Sequence, residues 1–392
     1  MRVLVAHNRY QQAGGEDAVV ENEVRMLRRS GVEVCLHERS NDELASAGLP
    51  AKLAAGVETV WSWRSHARIS KLLDEFKPGI VHVHNTLPLI SPSIYFAAYS
   101  RRIPVVQTLH NYRLACPAGT FFRDGRVCED CLSGTLMSSV INRCYRGSAA
   151  GSAAISIMLM VHRGLGTYSA KVDRYLALTN FARKKIKALG IPGEKIEVKP
   201  NFLPDPPRVG KGGGAFVFVG RLSREKGIEN LLNAWASVPG ETLTVFGDGP
   251  LRQELEDRAR ARQLKVEFMG ARPKEEIITA MQDAKAVLVP SVWYEGLPMV
   301  VVEAYACGTP VLASDIGSLS EIVRDSKTGF LFAPDDVDGI AAVARRLSES
   351  SGVAEQLRIG ARLEYDAFYS ENVNRAMLLE TYEKVLRDSH GR

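Results

Sequence analysis

Phe216-Val-Phe-Val-Gly220-Arg221-Leu-Ser-Arg-Glu-Lys226-Gly227 is the stretch that decides the fold. Four apolar residues form a strand of the kind that is buried on both faces. Gly220 then ends the strand where a ligand can approach the backbone, and a helix is expected from about Ile228. Arg221 and Lys226, five residues apart in the connecting loop, suit a diphosphate by fork and by point charge respectively. Ordinary loop cations on a solvated face give the same pattern.

The same alternation of strand and helix extends in both directions. Strands are expected at Val3–Ala6, Val32–Leu36, Ile80–His84, Val105–Leu109 and Tyr175–Leu178, and a helix at Asp17–Arg29, where Val20, Val24 and Leu27 recur at helical spacing. After Phe216–Val219, strands follow at Leu243–Phe246, Val266–Phe268, Ala286–Pro290, Val311–Ala313 and Gly329–Phe332. Alternation of this kind implies parallel, doubly wound sheets. Asn201–Gly214, with three prolines and four glycines, reads as a flexible linker between two α/β domains of similar size. A cleft between such domains is a usual place for a ligand.

At 392 residues the chain is too long for one small module. Its 45% hydrophobic and 24% charged residues exclude disorder, collagen and coiled coil. Met1–Ala6 reads at once as a strand, which argues against a secretory signal. The longest apolar stretch, Ala149–Val161, is shorter than the roughly 18 to 20 residues that cross a bilayer. A cytoplasmic protein is expected, with its six cysteines as thiols or metal ligands. The net charge of +5 conceals an asymmetry: residues 1–200 carry 27 Lys and Arg against 17 Asp and Glu, and the remainder carries 23 against 28. The first half is therefore at +10 and suits an anionic partner, and the second is at −5.

A second motif follows the strand Ala286–Pro290. In Val292-Trp-Tyr-Glu295-Gly-Leu297-Pro298-Met299-Val300-Val-Val-Glu303, Gly296 breaks the chain and Pro298 opens a helix. Glu295 falls in the loop and Glu303 in the helix's second turn. The unpaired amides of Met299 and Val300 make an anion site, and the two carboxylates suit hydroxyl-rich groups on either side of a phosphate. Two glutamates eight apart also arise by chance.

These two motifs, with Gly247-Asp248-Gly249-Pro250 between them, resemble the carboxyl-terminal domain of retaining glycosyltransferases of family 4, which have the two-domain GT-B fold. The resemblance covers most of residues 1–385 and is most specific from Gly220 to Ser320. It implies that Arg221 and Lys226 hold the donor diphosphate, that Glu295 meets the donor sugar hydroxyls and that Glu303 meets the ribose. Gly220, Gly247, Leu297, Met299 and Val300 complete the expected donor site. In the first half, Gly14-Gly15 between the first strand and its helix permits close approach to a phosphate or sugar, or is a plain turn. His110, ending the strand Val105–Leu109, matches the family's active-site histidine. His84 and Asn85 are second-tier candidates for acceptor contact.

Cys116, Cys128, Cys131 and Cys144 form Cys-x11-Cys-x2-Cys-x12-Cys in a loop-like region. The spacing fits a structural four-thiolate zinc site that orders an insertion at about 111–148. Reduced thiols or an iron–sulfur cluster are the alternatives. Cys35 and Cys307 read as packing residues. Arg183, Lys184, Lys185 and Lys187 cluster on a helix without the aromatic interleaving of a nucleic-acid site, so no nucleic acid is expected. The cluster suits a solvated face or anionic lipid headgroups. Asp336-x-Asp338 precedes a helix and reads as its cap, so no catalytic metal is expected.

The sequence thus predicts an α/β GT-B protein with two Rossmann-like domains facing a cleft: an acceptor-side domain at 1–203, a donor domain at 204–364, and carboxyl-terminal helices at 365–392 returning to the first. The implied activity is retaining, metal-independent transfer of a sugar from a nucleoside diphosphate sugar to a glycan or lipid-linked acceptor in surface polysaccharide or glycolipid synthesis, with peripheral contact at the inner face of the membrane. The competing readings are an epimerase or phosphorylase on the same fold, and a non-catalytic zinc-ordered binding protein.

Overall fold

The computed structural model describes residues 1–10, 15–44 and 49–390, with the side chains of 44, 49–54 and 390 apart. Gly14 lies outside the described residues. The chain divides into two compact units, the first made of Met1–Phe121, Glu129–Pro200 and Asn374–Arg392, the second of Phe122–Cys128 and Asn201–Val373.

In the first unit six strands make one sheet: β1 (Arg2–Arg9), β2 (Glu33–Ser40), β3 (Ile80–Asn85), β4 (Val105–Leu109), β5 (Arg174–Ala177) and β6 (Ile196–Val198), in the order β2-β1-β3-β4-β5-β6. All its pairings are parallel. Val3, Leu4, Val5 and Ala6 are fully buried, as a strand covered by helices on both faces requires. Sequence periodicity does not reveal β6, because three residues are too few to show it. Its helices include α1 (Gly15–Arg29), α2 (Leu49–Val60), α3 (Trp63–Phe76), α4 (Met137–Ile141) and α5 (Ala149–Gly164).

The second unit repeats the architecture with β7 (Phe216–Val219), β8 (Leu243–Phe246), β9 (Val266–Gly270), β10 (Val287–Val289), β11 (Val311–Ser314) and β12 (Gly329–Phe332), ordered β9-β8-β7-β10-β11-β12 and again parallel. The helix α6 (Met299–Ala306) follows β10, and α7 (Glu371–His390) ends the chain. From Asn374 onward α7 belongs to the first unit, where the Tyr382 hydroxyl lies 2.7 Å from His82 Nδ1 and Thr381 donates to Glu197 at 2.7 Å.

The expected flexible linker is instead docked along the second unit. Phe202 and Leu203 are buried, and the amides of Gly210, Gly212 and Gly214 donate to the carbonyls of Cys307, Gln282 and Asp283 at 3.0, 3.1 and 2.7 Å. Its glycines serve close backbone approach: a Cβ on Gly210 would meet the Gln282 carbonyl at 2.0 Å.

Strand order fixes where a ligand can bind. In each sheet the winding reverses beside the first strand, between β1 and β3 and between β7 and β10. The carboxyl ends flanking such a reversal open a crevice.

Candidate active site

In the second unit both sequence motifs reach that reversal point, one from the end of β7 and one from the end of β10. Lys226 Nζ donates to Glu295 Oε1 at 2.7 Å, and the Ser291 hydroxyl donates to the same oxygen at 2.7 Å. Lys226 also sits 5.3 Å from the centre of the Trp293 ring. Glu295 is buried at 5% exposure. Burial, the largest influence on its carboxyl, pushes it toward the protonated form, but Lys226 and Ser291 oppose that and hold it below the ordinary range. The result is a fixed carboxylate beside an ammonium group at a strand end.

Glycine makes this closeness possible. Gly227 has φ +67°, and a Cβ there would lie 1.8 Å from the Pro290 carbonyl, so only glycine lets the Lys226 loop lie against β10. Gly247, with φ +125°, is pressed in the same way against the Gly220 carbonyl.

Arg221 is exposed and carries no ion pair among the described residues. Helix α6 begins at Met299 after Pro298, with no side chain capping its first amides, and so presents donors at the same crevice. Leu297 is buried just before it. Glu303, one turn along, pairs with Lys274 at 3.0 Å. Asp336 caps the helix Val337–Glu349 by accepting from the Gly339 amide at 2.8 Å.

In the first unit the corresponding strand ends carry histidines. His110 follows β4 and His84 lies on β3, with His110 Nε2 and His84 Nδ1 2.9 Å apart and the rings stacked. The Asn85 amide donates to the Asn8 carbonyl at 2.8 Å, which ties β3 to β1. Gly15 opens α1 beyond the end of β1. Burial, the largest influence, holds His110 neutral, well below the usual imidazole range, and its Nδ1 is buried without a partner.

Beneath these residues lies a cluster that sequence reading misses. Glu23 Oε2 accepts from Lys199 at 2.9 Å, and its Oε1 lies 3.2 Å from both His82 Nδ1 and His84 Nε2. The ligating atoms of Glu23, His82 and His84 lie close enough together to hold a cation, and the Lys199 ammonium already supplies that charge. Burial, the largest influence on Glu23, favours its neutral form, but Lys199, His82 and His84 outweigh it and hold the carboxyl well below its ordinary value. The signal was available: Glu23 falls on the apolar stripe of Val20, Val24 and Leu27, where a charge must find a partner.

None of the six cysteines is in a disulfide, and among the described residues they form no group close enough together to hold a metal ion. Cys116 and Cys131 are buried, whereas Cys128 and Cys144 are half-buried. A two-stranded hairpin, Phe122–Arg123 with Arg126–Val127, precedes Cys128, and Cys131 lies in the short helix Asp130–Ser133. Of the basic cluster, Lys185 pairs with Glu129 at 2.6 Å.

Comparison with known proteins gives the family. The family described as Glycosyltransferase Family 4 matches residues 13–205, and that described as Glycosyl transferases group 1 matches 204–364. A glycogen synthase of Mycobacterium tuberculosis is 30% identical over 308 residues, 76% of this chain and 67% of that protein. The chain is a glycosyltransferase of the GT-B fold. A 2-deoxystreptamine glucosyltransferase of Streptomyces kanamyceticus is 33% identical over 208 residues, which is about half of each protein. Among solved structures, Anabaena Alr3699/HepE in complex with UDP and glucose superposes with TM-score 0.71 at 17% identity, covering 98% of this glycosyltransferase and 100% of that chain. The lipopolysaccharide outer core galactosyltransferase WaaB matches with TM-score 0.63.

Proposed function

We propose that this glycosyltransferase moves a sugar from a nucleoside diphosphate sugar to an acceptor hydroxyl with retention of anomeric configuration and without a catalytic metal, in the assembly of a surface polysaccharide or glycolipid. The observation that carries the reading is the Lys226–Glu295 pair at 2.7 Å beside the uncapped start of α6. An ammonium group, the Arg221 guanidinium and helix-start amides converge on one strand-order reversal, where a departing diphosphate gathers negative charge. Glu295, ionised and fixed, accepts hydrogen bonds from the donor sugar, and Glu303 does so from the ribose. Neighbours solved with UDP and with UDP-glucose support a nucleotide-sugar donor. The first unit takes the acceptor, with neutral His110 at the crevice end of β4.

Cys116, Cys128, Cys131 and Cys144 would hold a structural zinc ion. The Cys-x11-Cys-x2-Cys-x12-Cys spacing among short elements, with no disulfide between them, supports such a donor set, which the ion would draw together. Bound there, the ion closes a loop region and takes no part in transfer.

A thermal-shift panel of UDP, GDP, ADP and dTDP sugars tests the donor reading. The correct nucleotide at about 100 times its dissociation constant adds about 2.7 kcal/mol. No stabilisation by any of the four overturns it. Turnover with the stabilising donor is expected to survive EDTA and to yield a product of the donor's anomeric configuration. Metal analysis of the same preparation is expected to find one zinc per chain.

A further inference from the structure

A helix on the surface of a soluble protein normally turns an apolar stripe inward and a charged face outward. Helix α5 does not. Ile155, Met158 and Leu159 are buried, yet Ile157, Met160 and Val161 on the other side are 47%, 50% and 40% exposed. No charged residue occurs from Ala149 to Val161.

The elements packed around α5 continue the apolar surface. Gly56 of α2 faces Ala154, and the next residue, Val57, is 71% exposed. Ser139 of α4 bonds Ser156 at 2.8 Å, and Ile141, one half-turn on, is 74% exposed. Trp61 stacks on His162, and Trp63 meets Trp61 edge-on at 5.4 Å while staying 74% exposed.

Charge around this face is mostly positive, the acidic groups beside it being Glu58, next to Val57 on α2, and Asp130, which accepts from Ser138 of α4 at 3.3 Å. From Cys131 to Val172 there is no Asp or Glu, whereas Arg143, Arg146, Arg163 and Lys171 are present. Arg64 and Arg68, one turn apart on α3, are exposed beside Trp63. At 16 residues α5 is about 24 Å long, against the roughly 30 Å of a bilayer's hydrocarbon. Among the described residues no helix is long and apolar enough to cross a membrane.

We infer that this face of the first unit docks on an anionic lipid surface, with α5 lying flat at the interface, Trp63 at headgroup level and the arginines on lipid phosphates. The inference deepens the acceptor side of the proposed function, because it brings the acceptor-binding unit to a lipid-linked acceptor.

The test is flotation of the full chain with phosphatidylcholine vesicles, pure or containing roughly one third phosphatidylglycerol. The protein is expected to float with the anionic vesicles and to be released in part by salt. Met160→Glu is expected to weaken binding at least tenfold. So is the pair Arg143→Glu and Arg146→Glu, which lies on an exposed turn and keeps the test available should the helix variant fail to fold. Stabilisation by donor nucleotide, read in the same samples, reports the second unit separately, so loss of vesicle binding and failure of the donor reading remain distinct. Wild-type protein that ignores anionic vesicles overturns the inference, as does binding that both variants retain. A wild-type dimer that Met160→Glu splits, with no vesicle binding, assigns the face to a second copy and likewise overturns it.

Discussion

All eight histidines of the chain lie in segments of the first unit and none between residues 201 and 373, although both units wind six parallel strands about a reversal of order. The second unit fills the space under its sheet with Phe216, Phe218, Leu231, Leu288, Leu312 and Phe330, an almost wholly hydrocarbon core. The first buries Glu23, Lys199, His82, His84 and His37. Topology places a crevice at the same point in both, but it does not dictate what supports the crevice. One support is dry, and the other is an ionic network whose stability depends on every member being present.

The largest expected effect breaks that network. Glu23→Ala leaves the Lys199 ammonium buried at 2% exposure with no counter-charge. Removing one partner of a buried pair costs about 3–5 kcal/mol, because the other is left uncompensated. Hydrogen exchange is expected to show loss of protection in β1 and β3 and none in β7 and β10. A cost below about 1 kcal/mol would mean that Lys199 finds another partner and that the network is dispensable.

Acid sharpens the same contrast. His37 on β2 is buried, and that burial, aided by Arg68 and Arg39, lowers its pKa from 6.5 to about 4. A histidine whose folded pKa is depressed binds fewer protons in the native state than in the unfolded chain. Its contribution is therefore complete above about pH 6.5 and is lost as pH falls toward 4. By pH 4.5 His37 alone costs about 2.5 kcal/mol, and His82 and His110, shifted the same way by burial, add to it. Between pH 6.5 and 5 the first unit is expected to lose stability while the second, without histidines, holds. His37→Gln is expected to flatten part of the slope. Equal acid sensitivity in the two units would break the comparison.

How much of this was legible in the sequence follows from what each signal depends on. β4, β7, β8 and β12 could be read to the residue, because short apolar runs ended by glycine or polar residues have few other solutions. The placement of Lys226, Glu295 and the start of α6 beside one another was equally legible, since local turns near two strand ends set it. The Glu23–Lys199 pair was not: its members are 176 residues apart, and only the fold makes them neighbours. The exposed face of α5 was half legible. Its lack of charge shows in the sequence, but apolar residues on every side of a helix first suggest burial, and only packing shows which side is left uncovered. The docked segment 201–214 misled for a similar reason, since glycine and proline mark a loop whether it is free or pressed against its own domain.

The smallest predicted effect isolates the second unit. Lys226→Ala is expected to lower turnover at least tenfold, about 1.4 kcal/mol of transition-state stabilisation, with protection of the first unit unchanged. Part of the loss comes from Glu295. Burial favours the protonated form of that carboxyl, and with Lys226 gone only the weaker hydrogen bonds of Ser291 and Trp293 still oppose it, so its pKa rises. If the ionised carboxylate is what holds the donor sugar, the variant loses further activity as pH falls from 7 toward 5, while the wild type does not. A double mutant with Glu295→Gln removes that pH dependence, because the amide has nothing to protonate. A Lys226→Ala profile parallel to wild type across this range would show that the lysine meets the diphosphate without setting the charge of Glu295, and the pair would then be two separate contacts.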